Sequence, residues 1–181
     1  YPAIDLTAGE RERGTLEALM AAPVPRLGVL LAKYIAVVTV ATLTAIVNLT
    51  AMTITLAAAG KELWQFFFGT QGSPVEALIA VFFLLILFSM FLSAVLLLVT
   101  SFARSFKEAQ AYVVPLMVVA LAPGFMSVMP GLELGPEMSV LPLGNIVLLA
   151  RDVMEGDASL LWGSVAVLTT ILYGAVALAL A

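Results

Sequence analysis

The residues best equipped for chemistry form one short run near the start of the chain, Glu10-Arg11-Glu12-Arg13-Gly14-Thr15-Leu16-Glu17. Three acids, two bases, a hydroxyl and a glycine packed this closely offer charge-assisted hydrogen bonds of both signs to a facing surface. That is the chemistry of docking, not of bond-making. A second charged group, Arg104, Lys107 and Glu108, interrupts the apolar sequence further on. Catalysis is poorly provided for. The 181 residues include no Cys and no His, which removes thiolate ligands, disulfides and the commonest metal ligand and general base. No Gly-x-x-x-x-Gly-Lys-Ser/Thr loop is present to hold nucleotide phosphates. The chain is therefore expected to bind no metal or cofactor of its own.

These groups need elements to position them. Thr7 followed three residues later by Glu10 is a capping-box pattern, which predicts a short amphipathic helix from about Ala8, ended by Pro23 and Pro25. Within it Arg13 and Glu17 are four apart and are expected to pair, while Leu16, Leu19 and Met20 form an apolar edge. Gly14 costs about 1 kcal/mol in a helix interior relative to Ala, so it is expected either to admit a partner's backbone or to mark a bend. Read from the residues alone, a helix resting on lipid headgroups is the simpler account of this segment.

Composition sets the class. Of all residues 62% are hydrophobic and 11% are charged, against about 25% charged in an ordinary soluble domain, and the mean hydropathy is +1.12. The apolar residues come in long blocks with the charges swept to their ends, as lipid surroundings require. An all-α polytopic bundle follows, with spans at about 34–59, 75–102, 111–129 and 160–181. Pro115 and Pro123 predict a bent or broken third span. The segment 61–76, with Trp64, Phe66, Phe67 and Phe68, reads as an interfacial loop. The Pro- and Gly-rich stretch 130–157 is expected to form a re-entrant or interfacial element, with Asn145 capping a short helix that Gly156 closes.

Orientation follows from basic residues. Arg11, Arg13, Arg26, Lys33, Arg104 and Lys107 flank one side, against Lys61 and Arg151 on the other, which predicts a cytoplasmic N-terminal segment in a multi-pass cell-membrane protein. The basic residues form no run, so nucleic-acid binding is not expected. The polar opening without an initiating Met, and the apolar ending at Ala181, are read as cuts in a longer chain.

On the first span, Thr44, Asn48 and Thr55 share one side and Thr39, Thr42, Thr50 and Thr53 nearly the opposite one. Thr44, Asn48 and Thr55 are candidate intramembrane polar contacts, with Asn48 the expected cross-helix partner. Membrane Thr more often bonds its own helix backbone. Ser89, Ser93 and Thr100, and Gly163, Thr170 and Gly174, read as helix packing. No carboxylate is buried in a span, which withholds the usual mark of an ion pathway.

The run from Asp5 to Met20, then Pro23, Arg26 and Lys33 leading into a span, resembles the cytoplasmic segment of ABC-2 type permeases, with Glu-Arg-Gly-Thr-Leu-Glu as its most specific core. Ala103-Arg104-Ser105-Phe106-Lys107-Glu108-Ala109-Gln110-Ala111-Tyr112 with Pro115 is similar to a cytoplasmic turn of the sodium-exporter-like branch. The resemblance implies a six-helix permease half of which this chain supplies the last four. Residues 1–26 would be a cytoplasmic coupling segment and 27–181 the transmembrane domain. Glu10 to Glu17 would rest on a cytosolic ABC ATPase subunit that carries ATP and Mg, with Arg104, Lys107 and Glu108 as a second contact. A second permease copy, identical or not, would complete the exporter of sodium or another small substrate. Two alternatives remain at this stage, a non-transporting membrane scaffold and the permease-like part of a fused intramembrane protease. The lack of His and of a buried carboxylate pair argues against catalysis within these residues.

Overall fold

In hydrocarbon no water is available to pair backbone N–H and C=O groups, so long apolar blocks must close their hydrogen bonds internally. The computed structural model, which describes residues 2–60, 74–129 and 131–181, is helical accordingly. Four long helices are apolar enough to cross a membrane: α3 (Arg26–Ala59), α4 (Pro74–Ser101), α5 (Phe106–Ser127) and α7 (Leu160–Leu180). Ahead of them lie α1, a continuous helical run built from Pro2–Ile4, a π-helical stretch Asp5–Gly9 and Glu10–Glu12, and α2 (Thr15–Ala21). A buried helix, α6 (Gly144–Glu155), sits between α5 and α7. The aromatic residues Trp64, Phe66, Phe67 and Phe68 of the expected interfacial loop lie outside the described residues.

α3 has 34 residues, about 51 Å at ~1.5 Å per residue, and so overshoots a ~30 Å hydrocarbon core. It begins at Arg26, ahead of the expected 34, because Pro25 presets the entry and nothing in Leu27–Lys33 opposes a helix. α5 runs unbroken through both Pro115 and Pro123. Breaking it would expose several more backbone groups to lipid than the two that the prolines free. It also starts earlier than expected. Ser105 accepts from the Glu108 N–H at 3.3 Å, and the Glu108 carboxylate accepts from the Arg104 N–H at 2.8 Å, so Ser105 and Glu108 cap the helix together.

α4 is the central helix. It packs on α7 through small surfaces, with Gly174 against Phe91 and Ala94 and Ala166 fully buried. At the end of the bundle away from α1, Leu84, Ile146, Leu148, Leu149 and Ala166 form the largest apolar cluster, which joins α4, α6 and α7.

Two side chains fix α6 there. Asn145 is fully buried, and its Nδ2 lies 3.1 Å from the Ala166 carbonyl, 3.0 Å from Thr169 Oγ1 and 2.9 Å from Thr170 Oγ1. With two N–H bonds to share among three acceptors on α7, it is a cross-helix joint. Its Oδ1 also accepts from the Ile146 N–H at 2.8 Å, next to the helix start where a capping role was expected. Arg151 donates to the Ser127 and Leu132 carbonyls at 3.2 and 2.6 Å and pairs with Asp152 at 2.9 Å, tying the end of α5 to the 131–143 loop and α6. Gly156 ends α6 with φ 84°.

Asn145→Ala is expected to lower resistance to SDS unfolding by about 2 kcal/mol, the loss of one buried amide with several partners. Asn48→Ala, on the exposed side of α3, is expected to stay within about 0.5 kcal/mol.

Candidate functional site

The turn between α4 and α5 leaves backbone groups that neither helix satisfies. The N-terminal segment supplies their partners. Arg11 Nη1 donates to the Ala103 carbonyl at 3.0 Å, and the Phe106 N–H donates to the Glu12 carboxylate at 2.9 Å. Beneath these bonds Ile4, Ala8, Ala103, Ala109 and Val113 form a buried apolar cluster. Glu10 forms an ion pair with Lys33 of α3, both side chains being largely buried. One short segment thereby touches α3, α4 and α5.

The helix leading into this contact differs from the expected one. It begins at Pro2, a residue suited to a first helical turn, because Ala3, Ile4 and Ala8 have an apolar surface to bury. Thr7 is thus in the interior, where its hydroxyl donates back to the Ala3 carbonyl at 2.7 Å and caps nothing. The π-helical stretch Asp5–Gly9 widens the run there. Such stretches are rare and recur at functional sites. Gly9 makes room within it: a Cβ at that position would come within 2.9 Å of Arg13 Nη2 and 3.0 Å of Asp5 Oδ1.

Gly14 has φ 71° in the left-handed region and separates Glu12 from α2. It marks a break; no atom outside its chain neighbours approaches within 4 Å of a Cβ built on it. The expected Arg13–Glu17 pairing gives way to an Asp5–Arg13 ion pair, with Arg13 Nε also donating to the Gly9 carbonyl at 3.1 Å. After the break the segment turns outward. Gly14, Thr15 and Glu17 are exposed, Leu16 and Leu19 are half-buried, and Leu16 borders a 170 Å³ cavity with Arg11, Arg26, Lys33 and Ala181.

The motif Glu10 to Glu17 is therefore divided. Glu10, Arg11, Glu12 and Arg13 bond to this chain's own elements, although Arg11, Glu12 and Arg13 stay exposed; Thr15 donates to the Glu10 carbonyl at 3.2 Å, and Gly14 and Glu17 are exposed. In the second group, Arg104 and Lys107 are exposed at the same end, and the half-buried Glu108 accepts from the Tyr112 hydroxyl at 2.7 Å. Among the intramembrane candidates, Thr44 and Thr55 bond their own helix at 2.8 Å, to Val40 and Ala51. Asn48 is exposed on the wall of a cleft between α3 and α4, and Asn145 is the amide that joins helices. Sequence reasoning missed both Asn145 and Arg151 as structural joints. Their only signal was polar side chains within an apolar stretch. Among the described residues no group of three or more carboxylates is placed to hold a metal ion.

A family model described as ABC-2 family transporter protein matches residues 2–181. No curated protein and no solved structure matches the chain.

Glu10→Lys is expected to release the N-terminal segment and speed tryptic cleavage after Arg11 and Arg13 in the folded protein. The exchange Glu10→Lys with Lys33→Glu is expected to restore resistance. Gly14→Ala, forced into the left-handed region, is expected to cost about 1 kcal/mol, read as a lowered melting temperature in detergent.

Proposed function

We propose that this chain, which belongs to the ABC-2 family of transporter proteins, couples ATP hydrolysis on a partner subunit to export of a small substrate. The family makes it a membrane-spanning permease component of an ABC transporter and not itself a catalyst. Coupling through residues 1–26, the identity of the substrate and the pairing with a second permease copy are our own reading.

One observation carries the coupling role: the segment that ends in the exposed Gly14-Thr15-Glu17 face is bonded at the same time to α3 and to the α4–α5 turn. A partner pressing on that face pushes on three membrane helices at once. Mixed charges at the rim and the half-buried Leu16 and Leu19 suit a cleft in a moving subunit. The basic residues Arg11, Arg13, Arg26, Lys33, Arg104 and Lys107 gather at this end, which supports a cytoplasmic location by the positive-inside rule. ATP and Mg would sit on the partner.

For the substrate, the sodium-exporter-like branch is supported only by the Ala103 to Tyr112 resemblance. Glu76, Glu108 and Asp157 stand at helix ends, so the described spans offer no buried carboxylate for a sodium ion. An uncharged small substrate fits these helices better.

Co-purification of the permease with the ATPase encoded beside it is expected for the native chain and lost when Glu10 to Glu17 is scrambled. Charge reversal at Glu12 and Arg13 is expected to reduce stimulated ATPase activity. If both changes leave binding and stimulation intact, the coupling role is wrong.

A further inference from the structure

α3 is thinly packed, with Ala41, Thr42, Ala45, Leu49 and Thr53 only half-buried along its middle. Val37 and Leu56 are its buried residues, and between them α3 and α4 stand apart around a cleft of about 740 Å³. That volume lies within the ~300–1,000 Å³ of small-molecule sites. The cleft is closed at one end by Pro2, Ala3 and Ile4 of α1 and bordered near the other by Met154 of α6, which packs with Leu56 and Ala77.

Its lining is apolar apart from Thr53 towards one end and a polar group near mid-span. There Thr44 and Asn48, one turn apart on α3, and Ser89 and Ser93, one turn apart on α4, all border the same space, and among the described residues no charged one lines it. Ser93 is 1% exposed and its hydroxyl has no hydrogen-bond partner among the described residues, an arrangement that costs stability unless something pairs with it. Acyl chains at this depth carry no group that could. A charged ion would find neither a counter-charge nor a carboxylate cage.

We propose that this cleft holds the exported molecule, and that the molecule is an uncharged amphipath with an apolar body and one hydroxyl or amide group seated among Asn48, Ser89 and Ser93. This rests on the export reading and names the substrate class for it. The position suits a transport step, since the cleft is walled by α1, itself part of the coupling segment, and by α3, which the Glu10–Lys33 pair ties to that segment. Movement of that segment would change the cleft's width.

The test uses the full-length permease in nanodiscs with a diazirine-bearing long-chain primary alcohol, its hydrocarbon analogue and its sulfate ester. The alcohol is expected to label α3 and α4 peptides around residues 44–48 and 89–93 well above the other two. Asn48→Leu with Ser93→Ala is expected to cut that labelling about tenfold, the loss of two neutral hydrogen bonds, with no fall in melting temperature. Equal labelling by alcohol and hydrocarbon would mean a lipid-filled groove and overturn the proposal. So would a photoreactive residue at position 44 that cross-links to another helix, since a helix would then fill the space. With the ATPase bound, ATP is expected to lower labelling. Labelling that ignores ATP while ATPase stimulation is intact would make the molecule a structural lipid and also overturn it. Loss of ATPase association alone would sink the export reading and leave the alcohol-against-hydrocarbon comparison to decide what the cleft binds.

Discussion

The Ala103 carbonyl and the Phe106 N–H, left without helical partners at the α4–α5 turn, are satisfied by Arg11 and Glu12 from the N-terminal segment. Two charge-assisted bonds to backbone are directional in a way that apolar contact is not. They set where the segment lies and how it is turned. With the Glu10–Lys33 pair they make a rigid bridge from the segment to the near ends of α3, α4 and α5. Everything proposed for coupling depends on that bridge, since a segment that merely lay on headgroups would transmit nothing.

The two ends of the bundle are built differently. At the far end, Asn145 and Arg151 lock α6 to α7, to the end of α5 and to the 131–143 loop, and the main apolar cluster fills the space between. Leu143 even holds φ 68° just before α6, a strain that persists only in well-determined surroundings. The near end is held by polar bonds at a turn, the Glu10–Lys33 ion pair and a smaller apolar cluster around Ala8 and Ala103. Between the two, α3 crosses with little support and borders an uncharged cleft. A well-anchored far end, a near end bonded to the N-terminal segment and a thinly packed helix suit the export role proposed for the chain.

Much of the fold was legible in the sequence because lipid imposes so strong a rule. The four apolar blocks could hardly be anything but helices, and the α4 and α7 boundaries fall within a residue or so of the expected ones. Local capping signals were less dependable. The Thr7 pattern predicted a helix start, but burial of Ala3, Ile4 and Ala8 extended the helix past it. Ser105 and Glu108 do cap a helix, yet that stretch reads as a mere connection when attention is on apolar blocks. The charged motif was visible as a unit. That Arg11 and Glu12 bind the α4–α5 turn was not, because their partners there are backbone groups some ninety residues away, which no local pattern encodes. Asn145 was assigned a local role for the same reason.

The most direct test of coupling is pulsed electron–electron resonance on the complex with its ATPase. This chain has no cysteines of its own, so spin labels at Ala18, Lys107 and Ser127 can be placed cleanly. The bridge predicts that ATP binding leaves the 18–107 distance unchanged while the 18–127 distance shifts, since segment and turn move together against the far end. A changed 18–107 distance with a fixed 107–127 distance would show the segment moving alone, and coupling through the α4–α5 turn would be contradicted.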